Sequence, residues 1–369
     1  MLKTDARIGS LELLLDELTS DEREKFNRIY KVYNSEGWLR IPESMKPWAE
    51  KQFGSVDAVT SQRIVRVLNT VTYEDAMFNP IRSLRPMQLK SNADLYKMLS
   101  ESQNDPLESP LEGTPADIFG RIKGEYSITA GNVAKVDGFS SLVVFDNFNP
   151  LEFTKEQVAD YLQVALWWAD EVVKVDSSAR YFFFLWNCLW KAGASLMHGH
   201  AQMTMGRHVH YGKIEHLRLS ALRYRDTYGS TYFDDIFDTH KALGLGFERG
   251  DLRVMAHLTP TKEREVLVMG HDVGDLMKDT IYHVLRCFRD GMGVTSFNLV
   301  MYMPPFVATG EDWSDFPIIV RILDRGDHAN KTSDIGAMEL YASTVVSSDP
   351  FVVAKFLKEW VPESHDLVS

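Results

Sequence analysis

Apolar residues recur at helical spacing through LELLLDELTSDEREKFNRIYKVY and again through VDAVTSQRIVRVLNTVTYEDAMF. Residues 1 to about 75 therefore read as helical, with NSEGWLRIPESMKPW as a loop between the two runs. Residues 100 to 120 are rich in Pro, Ser and acidic side chains and read as a surface connection. From Gly124 the pattern changes: EYSITAG and FSSLVVFDN alternate or run apolar as strands do. Thr154, with Gln157 three residues on, is placed to cap an amphipathic helix over TKEQVADYLQVALWWADEVVKV. ARYFFFLWN and HAQMTM follow as strands. The second half repeats the order: strands at LRVMAHLTP and REVLVMG, a helix at DVGDLMKDTIYHVLRCFRDGM, strands at SFNLVMYMPPF and FPIIVRILDRG. Antiparallel strands with a helix on one face, used twice, is an α+β plan.

Composition narrows the function classes. The 369 residues suit one large or two modest domains, and 44% hydrophobic with 25% charged residues is ordinary for a globular chain. A net charge of −12 with dispersed Lys and Arg argues against a nucleic-acid or anionic-membrane partner. Cys188 and Cys287 stand far apart without a CxxC, which disfavours a disulfide framework or a cysteine-built zinc site. Acidic residues interrupt the N-terminal apolar run, and no stretch approaches the ~20 apolar residues a membrane span needs. The expectation is a cytoplasmic enzyme or binding protein.

The chemistry concentrates in GASLMHGHAQMT, residues 193 to 204. As a strand from residue 198, period two sets His198, His200, Gln202 and Thr204 on one face, with Gly199, Ala201 and Met203 on the other. Gly193 and Ser195 form a small-residue turn whose backbone N–H groups can approach an anion, and Asn187 can add an amide. His208, His210 and His216 lack a fourth ligand and read as a solvated loop, and Asp234–Asp235 as a solvated turn. Lys191 lies inside the motif, within reach of a phosphate or of solvent.

The spacing Asn187–x5–Gly193–x–Ser195–x2–His198–x–His200–x–Gln202 resembles the histidine-triad superfamily, in its branch of galactose-1-phosphate uridylyltransferases and related nucleotide phosphorylases. The resemblance runs from about Gly138 to Trp360 and fills all six fixed positions of the motif, with Gly199 where Pro or Lys is usual. It implies two histidine-triad-like half-domains, each an antiparallel sheet with helices, preceded by a helical N-terminal extension. The expected boundaries are 1–95, 96–215 and 216–369. His200 is implied to be the nucleophile that forms a covalent nucleotidyl-histidine. Gln202 would donate to the α-phosphate, while Ser195, Gly193 and Asn187 hold phosphates and His198 shapes the pocket. Glutamine fits transfer between phosphates: leaving group and acceptor are both stable anions, so no acid needs to protonate them.

The same resemblance exposes departures. Of the four zinc ligands in the uridylyltransferases only His198 is present, since DPLE (105–108) and Asn149 occupy the other places. A second metal site falls on Tyr302, Ile319 and Arg321, so no metal and no other cofactor is expected; Arg321 is expected to pair with a nearby acid. GAMELYAST (336–344) resembles the hexose-contacting segment and puts Glu339 on a sugar, but Val345 replaces a glutamine. The base-contacting loop, expected near Thr129 to Val133, does not match. The implied partners are a nucleotide or nucleotide-sugar, with a phosphate or sugar phosphate as acceptor; a homodimer is admitted. A hexose-1-phosphate nucleotidylyltransferase, a phosphorylase or hydrolase of dinucleotide polyphosphates or nucleotide-sugars, and a non-catalytic nucleotide-binding protein are the readings carried forward.

Overall fold

A computed structural model describes residues 6–84, 95, 105–330 and 332–363. Part of the expected 100–120 connection and the first residues after the 95/96 boundary lie outside that set. Helix α1 (Ser20–Ile29) opens with a capping box in which Thr19 and Glu22 satisfy each other's backbone donors. Strands β1 (Tyr30–Trp38), β2 (Ser61–Asn69) and β3 (Asp75–Phe78) follow, with short helices at Lys46–Phe53 and Val56–Thr60 between β1 and β2.

The N-terminal segment is thus helical only in part. The expectation of helix through residues 30–33 and 61–69, and of a loop at 34–38, is corrected to strand. In RIVRVLN the β-branched residues alternate with Arg, so Val65 and Val67 are buried while Arg66 faces out. Helical spacing and strand alternation overlap in so short an apolar run, and cross-strand pairing of β1 with β2 over nine residue pairs decides between them.

Nine further strands build the main sheet: β4 (Ser127–Gly131), β5 (Phe139–Phe145), β6 (Ala179–Asn187), β7 (His200–Arg207), β8 (Gly246–Arg249), β9 (Leu252–Ala256), β10 (Glu263–Gly270), β11 (Phe297–Tyr302) and β12 (Ile318–Asp324). Their order is β4-β5-β7-β6-β11-β12-β10-β9-β8. Each half lays down neighbouring strands (β4 and β5 in the first; β9 and β10, with β8 added at the edge, in the second), inserts a helix, then returns with two strands whose order is reversed. The repeated order of elements in the sequence is therefore a repeated topology. The halves join edge to edge where β6 pairs with β11, so one continuous sheet replaces two separate ones. Strand β13 (Thr344–Val346) runs back to pair in parallel with β3, completing a four-stranded sheet with β1 and β2.

One face of the main sheet is covered by α2 (Lys155–Val175), α5 (Asp275–Arg286) and α7 (Pro350–Trp360). Helix α2 starts with the expected box, Gln157 N–H on Thr154 Oγ1 and Thr154 N–H on Gln157 Oε1. Its buried side includes Val158, Tyr161, Leu162, Ala165, Trp168 and Val172, the i, i+3, i+4 stripe that packs on the sheet. The other face carries the N-terminal sheet and helices α3 (Gly212–Tyr228) and α4 (Tyr232–Ala242) over part of its area. Asp235, expected in a solvated turn, is buried on α4 and accepts from Tyr224 and Ser230. No helix among the described residues is long and apolar enough to cross a membrane.

Arg321 clamps the two sheets. Its Nε donates to Glu265 on β10 at 2.7 Å and its Nη1 to Glu74, just before β3, at 2.7 Å. Burial would raise the Glu265 carboxyl, but the Arg321 guanidinium and the neighbouring His257 together outweigh it and hold the group well below the usual carboxylate range. Arg321→Met leaves the buried Glu265 without its counter-charge and is expected to cost about 3–5 kcal/mol in urea unfolding. A loss under 1 kcal/mol would remove the clamp from this account.

Candidate active site

Residues that face each other across antiparallel strands share a face of the sheet. Gln202 opposes Leu142 and Leu185; Leu185 opposes Val300; Val300 opposes Arg321. One row further along, Asn187 opposes Asn298, and Asn298 opposes Leu323. His200, Gln202 and Asn187 therefore share the face away from the long helices, while Ala201, Met203 and Met205 pack into the core. The strand begins at His200, so His198 belongs to the turn before it and not to the strand as expected.

That turn is closed by main chain. Gly199 N–H donates to the Phe148 carbonyl at 2.8 Å, and Phe145 N–H donates to the Gly199 carbonyl at 2.9 Å. A Cβ on residue 199 would stand 2.7 Å from the Asn147 carbonyl oxygen and 2.8 Å from the Phe145 ring. Glycine here is a steric requirement of the close approach, which accounts for the departure from Pro or Lys.

The two histidines are held differently. His198 Nε2 donates to the Phe145 carbonyl at 2.7 Å, and its backbone N–H donates to Asp105 Oδ2 at 3.1 Å. Its Nδ1 is buried without a hydrogen-bond partner among the described residues. His200 Nδ1 lies 2.8 Å from the His198 carbonyl, which can only accept, so Nδ1 carries the proton and Nε2 keeps its lone pair. No hydrogen bond engages that Nε2 among the described residues. Burial is the main cause that lowers the His200 pKa; the carbonyl bond and the nearby Asp105 oppose it. A neutral imidazole with a defined free nitrogen is the result.

The preceding loop is tightly wound. Gly193 sits at φ +100°, a left-handed conformation that glycine adopts freely, and Leu189 at φ +68° has its side chain fully buried. The Leu189 carbonyl accepts from the N–H groups of both Ala192 and Ala194. A Cβ on Gly193 would lie 4.0 Å from Asn187 Nδ2, so that amide faces the turn. Asn187 Oδ1 accepts from Asn298 Nδ2 at 2.7 Å, and Arg325 Nη1 donates to Asn298 Oδ1 at 2.6 Å. Ser195 is exposed at the tip with no hydrogen-bond partner among the described residues. The Gln202 side chain is half-buried and likewise free.

Two other expected site residues stand apart. Lys191 donates to the carbonyls of Asn330 (3.2 Å) and Thr332, and so is tied to the 330–332 loop. Glu339 accepts from Gly336 N–H at 2.8 Å, starting helix α6 (Ala337–Tyr341), and lines a cleft of about 820 Å3 with Tyr302, Arg321 and Asn298. Neither His200 nor Gln202 lines this cleft, which meets the motif at Asn298. Asn298 and Arg325 were not singled out from the sequence, and Asp105 only as part of the DPLE segment; a lone Asn in the apolar run SFNLVMY was the available signal for Asn298.

No three His, Cys, Asp or Glu side chains converge to hold a metal among the described residues. His198 Nε2 is committed to a carbonyl, and its Nδ1, unpartnered among the described residues, belongs to no such group of three. His210, expected in a solvated loop, is instead buried against the Met303 carbonyl, with burial lowering its pKa to about 4.

No protein-family model matches the chain, and no curated protein sequence matches it. Solved structures do match. An ADP-glucose phosphorylase from Arabidopsis thaliana, with ADP-glucose bound, superposes with a TM-score of 0.59 at 14% identity, over 79% of this chain and 97% of the other. A galt-like protein from the same plant gives 0.56 at 14%, over 70% and 93%. A uridylyltransferase gives 0.56 at 14%, over 81% and 98%.

Gly199→Ala is expected to cost about 1–3 kcal/mol, read by thermal unfolding, because the clash is with backbone that cannot swing away. Unchanged stability would show that the turn has room the geometry denies. At 14% identity these likenesses speak for architecture alone: the chain shares the fold of the ADP-glucose phosphorylase, the galt-like protein and the uridylyltransferase.

Proposed function

We propose that this protein is a nucleotidyltransferase that passes a nucleotide between two phosphates through a covalent histidine intermediate. The observation that carries the reading is the His200 ring, whose Nδ1–H is bonded to the His198 carbonyl so that a neutral Nε2 is left free beside the unengaged Gln202 amide.

In the first step the Nε2 lone pair attacks the α-phosphorus of the nucleotide. The bond from that phosphorus to the bridging oxygen breaks, and the departing phosphate keeps the electron pair. The imidazole then carries positive charge, which the His198 carbonyl stabilises through Nδ1–H. In the second step an oxygen of the acceptor phosphate attacks the same phosphorus, the N–P bond breaks, and Nε2 recovers its lone pair. No proton has to reach either leaving group, so a neutral donor at Gln202 suffices. The Gly193 and Ala194 N–H groups are spent on the Trp190 and Leu189 carbonyls, so Asn187 Nδ2, which faces the turn, and the unengaged Ser195 side chain are the donors left for phosphate charge.

The nucleotide donor is read as a nucleotide-sugar or dinucleotide polyphosphate, and the acceptor as a sugar phosphate or inorganic phosphate. Hexose-1-phosphate nucleotidylyl exchange is the main reading, because Glu339 lines the large cleft on the same sheet face. Phosphorolysis or hydrolysis of a dinucleotide polyphosphate is the second, favoured by Val345, which lies in β13 beside Met77 where the hexose-binding relatives would have a second sugar-binding side chain. A cytoplasmic setting and a homodimer remain part of the proposal.

Incubation with UDP-glucose, ADP-glucose or diadenosine tetraphosphate labelled at the α-phosphate should give acid-labile label on the protein, absent in His200→Ala. Label that persists in that variant, or none with any donor, would contradict the reading. Gln202→Ala is expected to slow labelling about 10²–10³-fold without unfolding the chain. Because burial lowers the His200 pKa, the neutral ring persists below the ordinary histidine value of about 6.5. The labelling rate should therefore stay level as pH falls through that value and decline only further down; a midpoint at or above it would refute the assignment.

A further inference from the structure

A second cleft, of about 660 Å3, lies beyond the first and shares Glu339 with it. Its carboxylates are already satisfied. Both oxygens of Asp334 accept from Arg325, at 2.8 and 2.9 Å. Glu263 accepts from Ser347 N–H, Ser347 Oγ–H and Ser348 N–H. Glu339 accepts from Gly336. Its cations are less engaged: Lys262 and Arg82 line it, and neither side chain forms a hydrogen bond or close ion pair among the described residues, although Lys262 helps to lower the Asp334 carboxyl from a distance.

Lys262 is the unusual member. Only 9% of its surface is exposed, yet it has no bonded partner, whereas a lysine buried that far is almost always paired. Its position is fixed from both sides. Thr261 N–H donates to Glu265 at 2.6 Å and Thr261 Oγ1 accepts from Arg321. After it come the Ser-bound Glu263 and Arg264, which takes φ +53° and donates its N–H to Ser348 Oγ. The Lys262 charge also reaches Lys191, whose ammonium is held below its ordinary value first by burial; Asp334 and Asp327 oppose the shift, and Arg325 and Lys262 add to it.

We infer that this cleft is a phosphate-binding subsite built around Lys262, with Arg82 at its rim. Four strand spacings, at about 4.8 Å each, separate β10 from β7, so the phosphate held here is not the one that reacts at His200. The cleft is far larger than a phosphate ion, so the ligand is a molecule that carries the phosphate as a monoester or oligophosphate. On the transferase reading this subsite anchors the far end of a substrate with a second phosphate group.

Calorimetric titration of the full chain with pyrophosphate tests the site without requiring turnover. Wild type and His200→Ala should bind alike, which separates this inference from the fate of the transferase reading. Lys262→Met should weaken binding about tenfold or more, through loss of a charge-assisted contact, while Lys262→Arg stays near wild type. Should Lys262→Met fail to fold, Arg82→Gln at the exposed rim should still weaken binding several-fold. No pyrophosphate binding by wild type, or undiminished binding by Lys262→Met or by Arg82→Gln, would overturn the assignment.

Discussion

A histidine becomes a defined nucleophile only when something fixes which nitrogen carries its proton. Here that constraint is the 2.8 Å contact from His200 Nδ1 to the carbonyl two residues back. A carbonyl cannot donate, so the tautomer follows from the turn and not from solution conditions. The turn in turn depends on Gly199, because Phe145, Asn147 and Phe148 close on it too tightly for any side chain. Burial completes the arrangement by favouring the neutral ring. Sequence, turn and chemistry are linked by one backbone oxygen.

The wider sheet serves this arrangement. The β6–β11 pairing that joins the halves also sets Asn187 opposite Asn298, and Arg325 from the second half holds Asn298 in place. The half without the histidine motif thereby supports the half that has it. The Arg321 clamp adds the N-terminal sheet, bringing Glu74 and the α6 segment to the rim of the same face. Three separate stretches of chain thus enclose the clefts that flank the motif.

How much of this was legible in the sequence varies with the range of the interactions. The capping box at Thr154–Gln157, the strands of both halves and their repeated order are local signals, and each is realised. Gly193 and Asn187 meet at the turn, as their spacing implied. The strands at 30–38 and 61–69 were read as helix or loop because alternation and helical spacing coincide over a few apolar residues, and only pairing resolves them. His210 and Asp235 were read as solvated because their partners, the Met303 carbonyl and Tyr224 with Ser230, come from tertiary contact or from a helix turn that charge alone does not signal. Lys262 carried no motif at all; its lack of a hydrogen-bonded partner among the described residues becomes visible only when the bonds of the carboxylates around it are traced.

The central claim is that His200 is neutral, with its proton on Nδ1. Nitrogen-15 NMR of imidazole-labelled protein tests it directly, since protonated and lone-pair ring nitrogens resonate far apart. The account predicts a protonated Nδ1 and a lone-pair Nε2 for His200 at pH 7, unchanged as the pH is lowered through the ordinary histidine value of about 6.5. An Nε2–H tautomer, or a charged ring at neutral pH, would contradict it.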